Sequence, residues 1–275
     1  MSEQRHDLQA RLATMNELEE VLGAMRGMAA ARIQQGERAQ QAAREYAGRI
    51  GAALASLAPP EVAPRAAGPP GVVVALCTDR GFVGALNERV LDAARTAGAR
   101  TLVVVGTRGR ALAQERGLAV VDGGGMTAHL GGIGDVADRV AALLARQIGE
   151  SGDTLTADVV HPRRSAAGGV TTERRALLPV DVTATSQAFA PLTMLPRPRL
   201  IAEVGGEYVH ARLYEMVAES FAAANAASLE VLQAAHAHLD DMLADLRRAE
   251  NVLRQDEITA EVLEVITGRM RAAGS

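Results

Sequence analysis

The sequence predicts an α/β protein of unusual build, a long antiparallel coiled coil of its N- and C-terminal helices with an inserted Rossmann-like α/β domain. Three observations predict it. The chain has no Pro after Pro198 and no Gly between Gly206 and Gly268, so its last part can run as one helix. Residues 3–57 also lack Pro. Between these ends, short Val-rich runs alternate with helical patterns, as parallel strands covered by helices require. The chain divides accordingly into an N-terminal coiled-coil helix (1–57), a linker (58–71), an α/β domain with connecting loops (72–198) and a C-terminal coiled-coil helix (199–275).

The first helix carries an apolar stripe. Leu8, Leu12, Met15, Leu22, Met25 and Ala29 step by 4, 3, 7, 3 and 4, a heptad-like seam that needs an apolar partner. Gly23, Gly27, Gly36, Gly48 and Gly51 interrupt it, each costing roughly 1 kcal/mol against Ala in a helix interior. Such a helix survives by packing, and its small residues permit close approach of another backbone. Met25, Met28 and Ala29, in the stretch AMRGMAAAR, fit a narrow rod enclosed by other protein.

The Pro-rich stretch Ala58–Gly71 reads as a linker. GVVVAL is then a strand and 85–97 a helix. TLVVVG (101–106) is a strand, followed by a helix through Arg116. LAVVDG (118–123) is a third strand. Ile133–Ile148 is a helix with Val136, Val140, Leu143 and Leu144 on one face, and TLTADVV (154–160) is a fourth strand. HPRRSAAGGVTTERRALLP reads as a loop, and 180–198 as a Pro-spaced linker. In the last helix, Leu213, Val217, Phe221 and Ala224 begin a stripe. Leu239, Leu243, Leu246 and Leu253 continue it, and Ile258, Val262 and Val265 finish it. A helix of about 60 residues spans roughly 90 Å, about twice the width of a domain of this size. The matched stripes predict that the two ends of the chain pair with each other.

Composition narrows the function. The net charge is -4, so there is no basic excess for nucleic acid, and aromatics at 2% offer no stacking surface. All 29 basic residues are Arg, a coding bias toward GC-rich codons. No run of 18 apolar residues occurs, so no direct membrane insertion is expected. The charged N-terminus lacks an apolar signal core. The one cysteine, Cys77, lies in the run VVVALC and reads as a buried strand residue in a reducing compartment.

Chemistry-bearing motifs are few. TDRGFVGALN (78–87) follows a strand and precedes a helix, where a doubly wound fold would bind phosphate. But Gly81 and Gly84 do not form GxGxxG, and a P-loop needs the Lys that this chain lacks. A tight turn, with Asp79 or Thr78 capping the following helix, is the better reading. GGGMTAHLGGIG (123–134) carries His129 in a surface loop. His236 and His238 face different sides of a helix and chelate poorly, and His161 and His210 are isolated. No catalytic, metal or cofactor site is expected.

Three segments resemble the γ subunit of F-type ATP synthases. AMRGMAAARI (24–33) is similar to the family's AM-x-MVAAxK stretch. TDRGFVGALN is similar to SDRGLCGGLN. ENVLRQDEITAEVLEVITG (250–268) is similar to the terminal signature N-x-x-RQ-x-x-IT-x-E-x-x-E-I-x-x-G. Order, spacing and length agree across essentially the whole chain. Departures occur at Gly23 and Arg32 where the family has Lys, and at Val83 where it has Cys. They also occur at Ser228 and Leu229, in place of an Arg-Met pair, and at Val252 in place of Lys. The long cysteine-bearing insert of redox-regulated relatives is absent, so thiol control is not expected.

The resemblance implies a central-stalk rotor subunit that is not itself catalytic. Its partners would be the α and β subunits of the catalytic hexamer, an ε subunit and the c-subunit ring, on the cytoplasmic side of a bacterial inner membrane. It implies that Arg254 and Gln255 engage a β subunit, flanked by Asn251, Thr259 and Glu261. It also implies a base-of-shaft loop of Asp79, Arg80, Gly81, Gly84 and Asn87. Two rival readings are a coiled-coil adaptor with an α/β ligand-binding domain and an enzyme using the 78–87 turn.

Overall fold

The computed structural model describes residues 2–57, 68–151, 155–165, 168–180 and 192–273. Most of the expected linkers, 58–67 and 181–191, lies outside them, as does the first residue of the expected fourth strand. The chain forms two compact units, Ala29–Leu229 and Met1–Met28 with Glu230–Ser275. Two long helices, α1 (Ser2–Leu57) and α5 (Arg197–Ala273), run through both.

The larger unit is built on a five-stranded sheet, with β1 (Val72–Leu76), β2 (Thr101–Val105), β3 (Val121–Asp122), β4 (Ala157–Arg164) and β5 (Val170–Leu178) in the order β3-β2-β1-β4-β5. The first four are parallel, and β5 runs antiparallel to β4 along its whole length, from Leu178 against Ala157 to Val170 against Arg164. The sheet is therefore mixed, and the stretch expected as a loop is mostly a hairpin. In β5 the polar run TTERRA carries charges on both sides: Arg174 pairs with Asp158 of β4, Glu173 with Arg163 of β4, and Arg175 with carboxylates of α5. β3 is reduced to two residues, as an edge strand with one neighbour can be.

Both faces of β1 are buried, which explains its unbroken apolar run. Val73, Ala75 and Cys77 pack with Val90, Leu91 and Ala94 of α2 (Leu86–Thr96) and Ala113 of α3 (Thr107–Glu115). Val72, Val74 and Leu76 pack with Ile133, Val136 and Val140 of α4 (Ile133–Ser151). The same cluster includes Leu213, Val217 and Phe221 of α5. The long C-terminal helix is thus one of the layers of the α/β domain. Helix α2 stops where Gly98 takes a left-handed conformation, φ 69°, and its N–H bonds the carbonyl of Arg95.

Within this unit α1 lies antiparallel to α5. A Cβ at Gly36 would sit 2.9 Å from that of Ala222, so here the two backbones meet closely. Further along, Tyr46 donates to Glu207 and Arg197 donates to the carbonyl of Leu57, both at 2.9 Å. The glycines do not share one role. Gly36 and Gly51 face the partner helix, whereas a Cβ at Gly23, Gly27 or Gly48 would meet nothing within 4 Å.

In the smaller unit, Leu12 packs with Leu239 and Leu243, and Met15, Leu22 and Leu246 pack against them, as the heptad spacing predicts. Arg5 pairs with Glu257 at 2.8 Å, so the helices are antiparallel here too. The expected continuation through Ile258, Val262 and Val265 does not pack: all three are exposed. The reason is the helix face: Glu257, Ala260, Glu261 and Glu264 are the residues that line up with Arg5, His6 and Gln9 of α1, and the three apolar side chains lie round the helix from them.

Candidate functional site

The 78–87 segment forms a hydrogen-bonded corner at the C-terminal end of β1. The buried Asn87 accepts from the Thr78 N–H at 2.9 Å and donates to the Thr78 hydroxyl at 3.0 Å, closing the corner on itself. Asp79 does not cap the helix that follows it, and neither does Thr78; Ala85 sits at that position without a side-chain bond. Instead Asp79 reaches sideways. Its Oδ1 accepts from the backbone N–H of Thr107 at 2.7 Å and of Met126 at 3.0 Å. The carboxylate thus sets a negative charge at the N-terminus of α3.

Arg80 donates to the carbonyl of Ala128 at 2.6 Å, tying the corner to the Gly-rich loop. Gly84 is left-handed, φ 56°, as is the exposed Phe82, also at 56°. Gly81 has open space around it. Helix and strand come close at Gly109 instead, where a Cβ would lie 2.6 Å from the Cys77 sulfur. Burial pushes the Cys77 thiol up to about 12. In the Gly-rich loop, His129 caps a short 3-10 turn, accepting from the Gly132 N–H at 3.1 Å.

On the distal part of α5, Asn251, Arg254, Gln255, Thr259 and Glu261 are all exposed. Glu250 lies one turn before Arg254 on the same helix, but among the described residues the two make no ion pair. Thr259 donates to the carbonyl of Gln255 at 2.8 Å and so spends its hydroxyl on its own helix. Glu261 lines a groove with Arg5, His6 and Gln9 of α1. On α1, Ala29 is buried, Met25 is half-buried and Met28 is exposed. His236 lies 3.9 Å from Asp240 on its own helix, and Glu19 of α1 comes within 4.8 Å of both.

The sequence reading missed a cluster of buried charges. Glu215 and Glu219 of α5 are each 1% exposed. Arg44 of α1 reaches Glu215 at 3.0 Å and Glu219 at 3.2 Å. Arg175 of β5 reaches Glu219 at 3.0 Å and Glu215 at 3.4 Å, and binds Glu173 at 2.8 Å. Arg212 closes on Glu215 at 2.7 Å, and Gln40 donates to Glu219. The hydrogen bond from Arg175, with help from Arg163, lowers Glu173 to about 2. Burial raises Glu219 by more than Arg175 lowers it. Burial also lowers the fully enclosed His161 to about 4, with Arg175 adding to the effect. His161, Glu173 and Glu219 converge within 4.8 Å, as metal ligands would, but the guanidinium groups of Arg163 and Arg175 already hold the carboxylates. The available signal was Glu215 and Glu219, one turn apart within a run of core residues.

Comparison with known proteins follows the same outline. The family model described as ATP synthase matches residues 4–270. The ATP synthase gamma chain of Chlorobium luteolum is 26% identical over 95% of this chain and 96% of the relative. That of Frankia casuarinae is 28% identical over 98% of this chain and 97% of its own. A chain of the Euglena gracilis mitochondrial ATP synthase OSCP/F1/c-ring assembly shares the fold. Its TM-score is 0.64 at 14% identity, over 99% of this chain and 95% of that one. A chain of the Tetrahymena thermophila mitochondrial ATP synthase central stalk and c-ring has a TM-score of 0.55 at 15% identity. It covers 78% of this chain and 99% of its own.

Proposed function

The chain belongs to the ATP synthase family, and on that premise we propose that it is the γ subunit, the central-stalk rotor of a rotary F-type ATP synthase. In this reading it couples ion flow through the c-subunit ring to ATP synthesis or hydrolysis in the α/β hexamer. It contributes no catalytic residue and takes no cofactor. It stands beside an ε subunit, held to the cytoplasmic face of a bacterial inner membrane by its partners. Among the described residues no helix is long and apolar enough to cross a membrane.

The observation that carries this reading is the bare end of α5. Val252, Ile258, Val262, Leu263, Val265 and Ile266 are all exposed. By helical spacing they share one broad face, turned away from the Glu257 side that Arg5 of α1 occupies. An exposed apolar face of this breadth calls for other protein to cover it, and the inner wall of a hexamer is such a cover. The open Gly23 and Gly27 keep the facing stretch of α1 slim.

Arg254 and Gln255 then meet a β subunit. A guanidinium and a carboxamide offer directional hydrogen bonds that can re-form at each rotary step. Asp79 and Arg80 are occupied inside the corner at the foot of the shaft, and there they brace the surface that faces the hexamer's lower rim. Turning the asymmetric shaft biases each β subunit toward a different conformation in turn, a coupling of populations between sites. The test is co-purification. A tagged chain expressed with its operon neighbours should bring down α, β and ε subunits in a complex that hydrolyses ATP. A chain that comes down alone, or with none of these, refutes the reading.

A further inference from the structure

Torque has to pass between the sheet and the helices that the sheet holds, and the apolar contact there is poorly suited to bearing it. α5 meets the sheet core through Leu213, Met216, Val217, Ala218 and Phe221, and meets α1 where Ala222 lies against Gly36. Glycine against a methyl group makes a smooth helix contact with little interlock. Hydrophobic burial has no direction, so neither contact by itself fixes one relative position. Ion pairs behave oppositely: they hold at one relative position, and a displaced buried charge is left without a partner.

We propose that Glu215 and Glu219, clasped by Arg175 of β5 and Arg44 of α1, form the lock through which turning force passes between the sheet and the two helices. The inference rests on the rotor reading above. Glu219 is the centre: its carboxylate meets Arg175 of the sheet and both Arg44 and Gln40 of α1 while itself belonging to α5. Glu215 repeats the pattern one turn earlier, with Arg212 filling its remaining oxygen. The outer edge of the lock continues through Arg164 of β4 to Glu37 of α1. These are positioning residues; none touches a nucleotide.

The test is single-particle rotation of the complex of this chain with α and β subunits. A bead is fixed to a cysteine introduced as Glu115→Cys, on the exposed side of α3. Within this chain that thiol is labelled alone, since Cys77 is the sole natural cysteine and is buried. Glu219→Gln keeps the shape and removes the charge. Arg44→Gln removes the charged tie from α1 to both glutamates without stranding Glu219, which retains Arg175. Both variants should hydrolyse ATP and turn a small bead at the wild-type rate, yet stall at a load roughly twofold lower, because each loses an ion pair made by a buried carboxylate. A purely structural role would instead reduce the number of rotating particles and leave the stall load of each unchanged. An unchanged stall load in both variants overturns the inference, and if Glu219→Gln does not assemble, Arg44→Gln decides alone. A wild-type bead that never turns with ATP sinks the rotor reading instead.

Discussion

Gly36 and Gly48 lie in the same helix and the same compact unit, yet replacing each with Ala should move stability in opposite directions. The intrinsic change is identical, a gain of about 1 kcal/mol from helix propensity. At Gly48 nothing lies within 4 Å of the new methyl, so the gain stands. At Gly36 the methyl would meet Ala222 Cβ at 2.9 Å, Phe221 Cδ1 at 3.0 Å and Ala222 Cα at 3.2 Å. Phe221 can turn aside, but the atoms of Ala222 are fixed to the backbone of α5. Restoring ordinary carbon contact near 3.5 Å requires the helices to part by roughly 0.6 Å. Overpacking of this kind costs about 1–3 kcal/mol, which cancels or exceeds the propensity gain. A unit of this size shifts by about 2–4 °C per kcal/mol. Thermal unfolding followed by circular dichroism should therefore show Gly48→Ala melting about 2–4 °C above wild type and Gly36→Ala at or below it. An equal rise in both variants would refute the close helix contact.

Three further outcomes follow from the geometry. Asn87→Ala strands the buried N–H of Thr78 and should cost about 1–3 kcal/mol in chemical denaturation. His161, lowered to about 4 in the folded chain, opposes folding in its charged form. Its contribution is complete above pH 6.5 and is lost as pH falls from 6.5 toward 4. Over that window wild type should lose up to about 3 kcal/mol more than His161→Gln, and parallel pH profiles would exclude this effect. Finally, Arg254→Ala should leave helix content and melting of the isolated chain unchanged while lowering ATP turnover of the assembled complex. Equal turnover would make Arg254 surface only.

Much of the fold was legible along the chain because it depends on local pattern. The Pro-free ends announce two long helices, and the heptad spacing of Leu12 and Met15 against Leu239, Leu243 and Leu246 marks the seam that packs. β1 and β2 declare themselves by apolar runs buried on both faces. The hairpin of β4 and β5 was not legible, because the outward residues of β5 are charges whose partners lie far off in sequence. The seam past Glu257 was overextended for a related reason: spacing on one helix does not say which of its faces the partner takes, and here Glu257 and Glu261, not Ile258 and Val262, lie beside α1. At the candidate sites, the residue types of the 78–87 corner were visible, but the partner of Asp79 was not, since Thr107 and Met126 reach it only through the fold.

By itself, then, the sequence determined the two long helices, the apolar strands β1 and β2, and that the two ends pair. These follow from periodicity and propensity, which act between neighbours along the chain. Only the tertiary structure decided that α5 covers the sheet, that Gly36 is the point of close approach, and that Glu215 and Glu219 find Arg44 and Arg175. Those outcomes depend on pairs of groups more than a hundred residues apart or on different elements. For such pairs the decisive quantity is burial, because a carboxylate that would be unremarkable in water must find a cation once the fold encloses it.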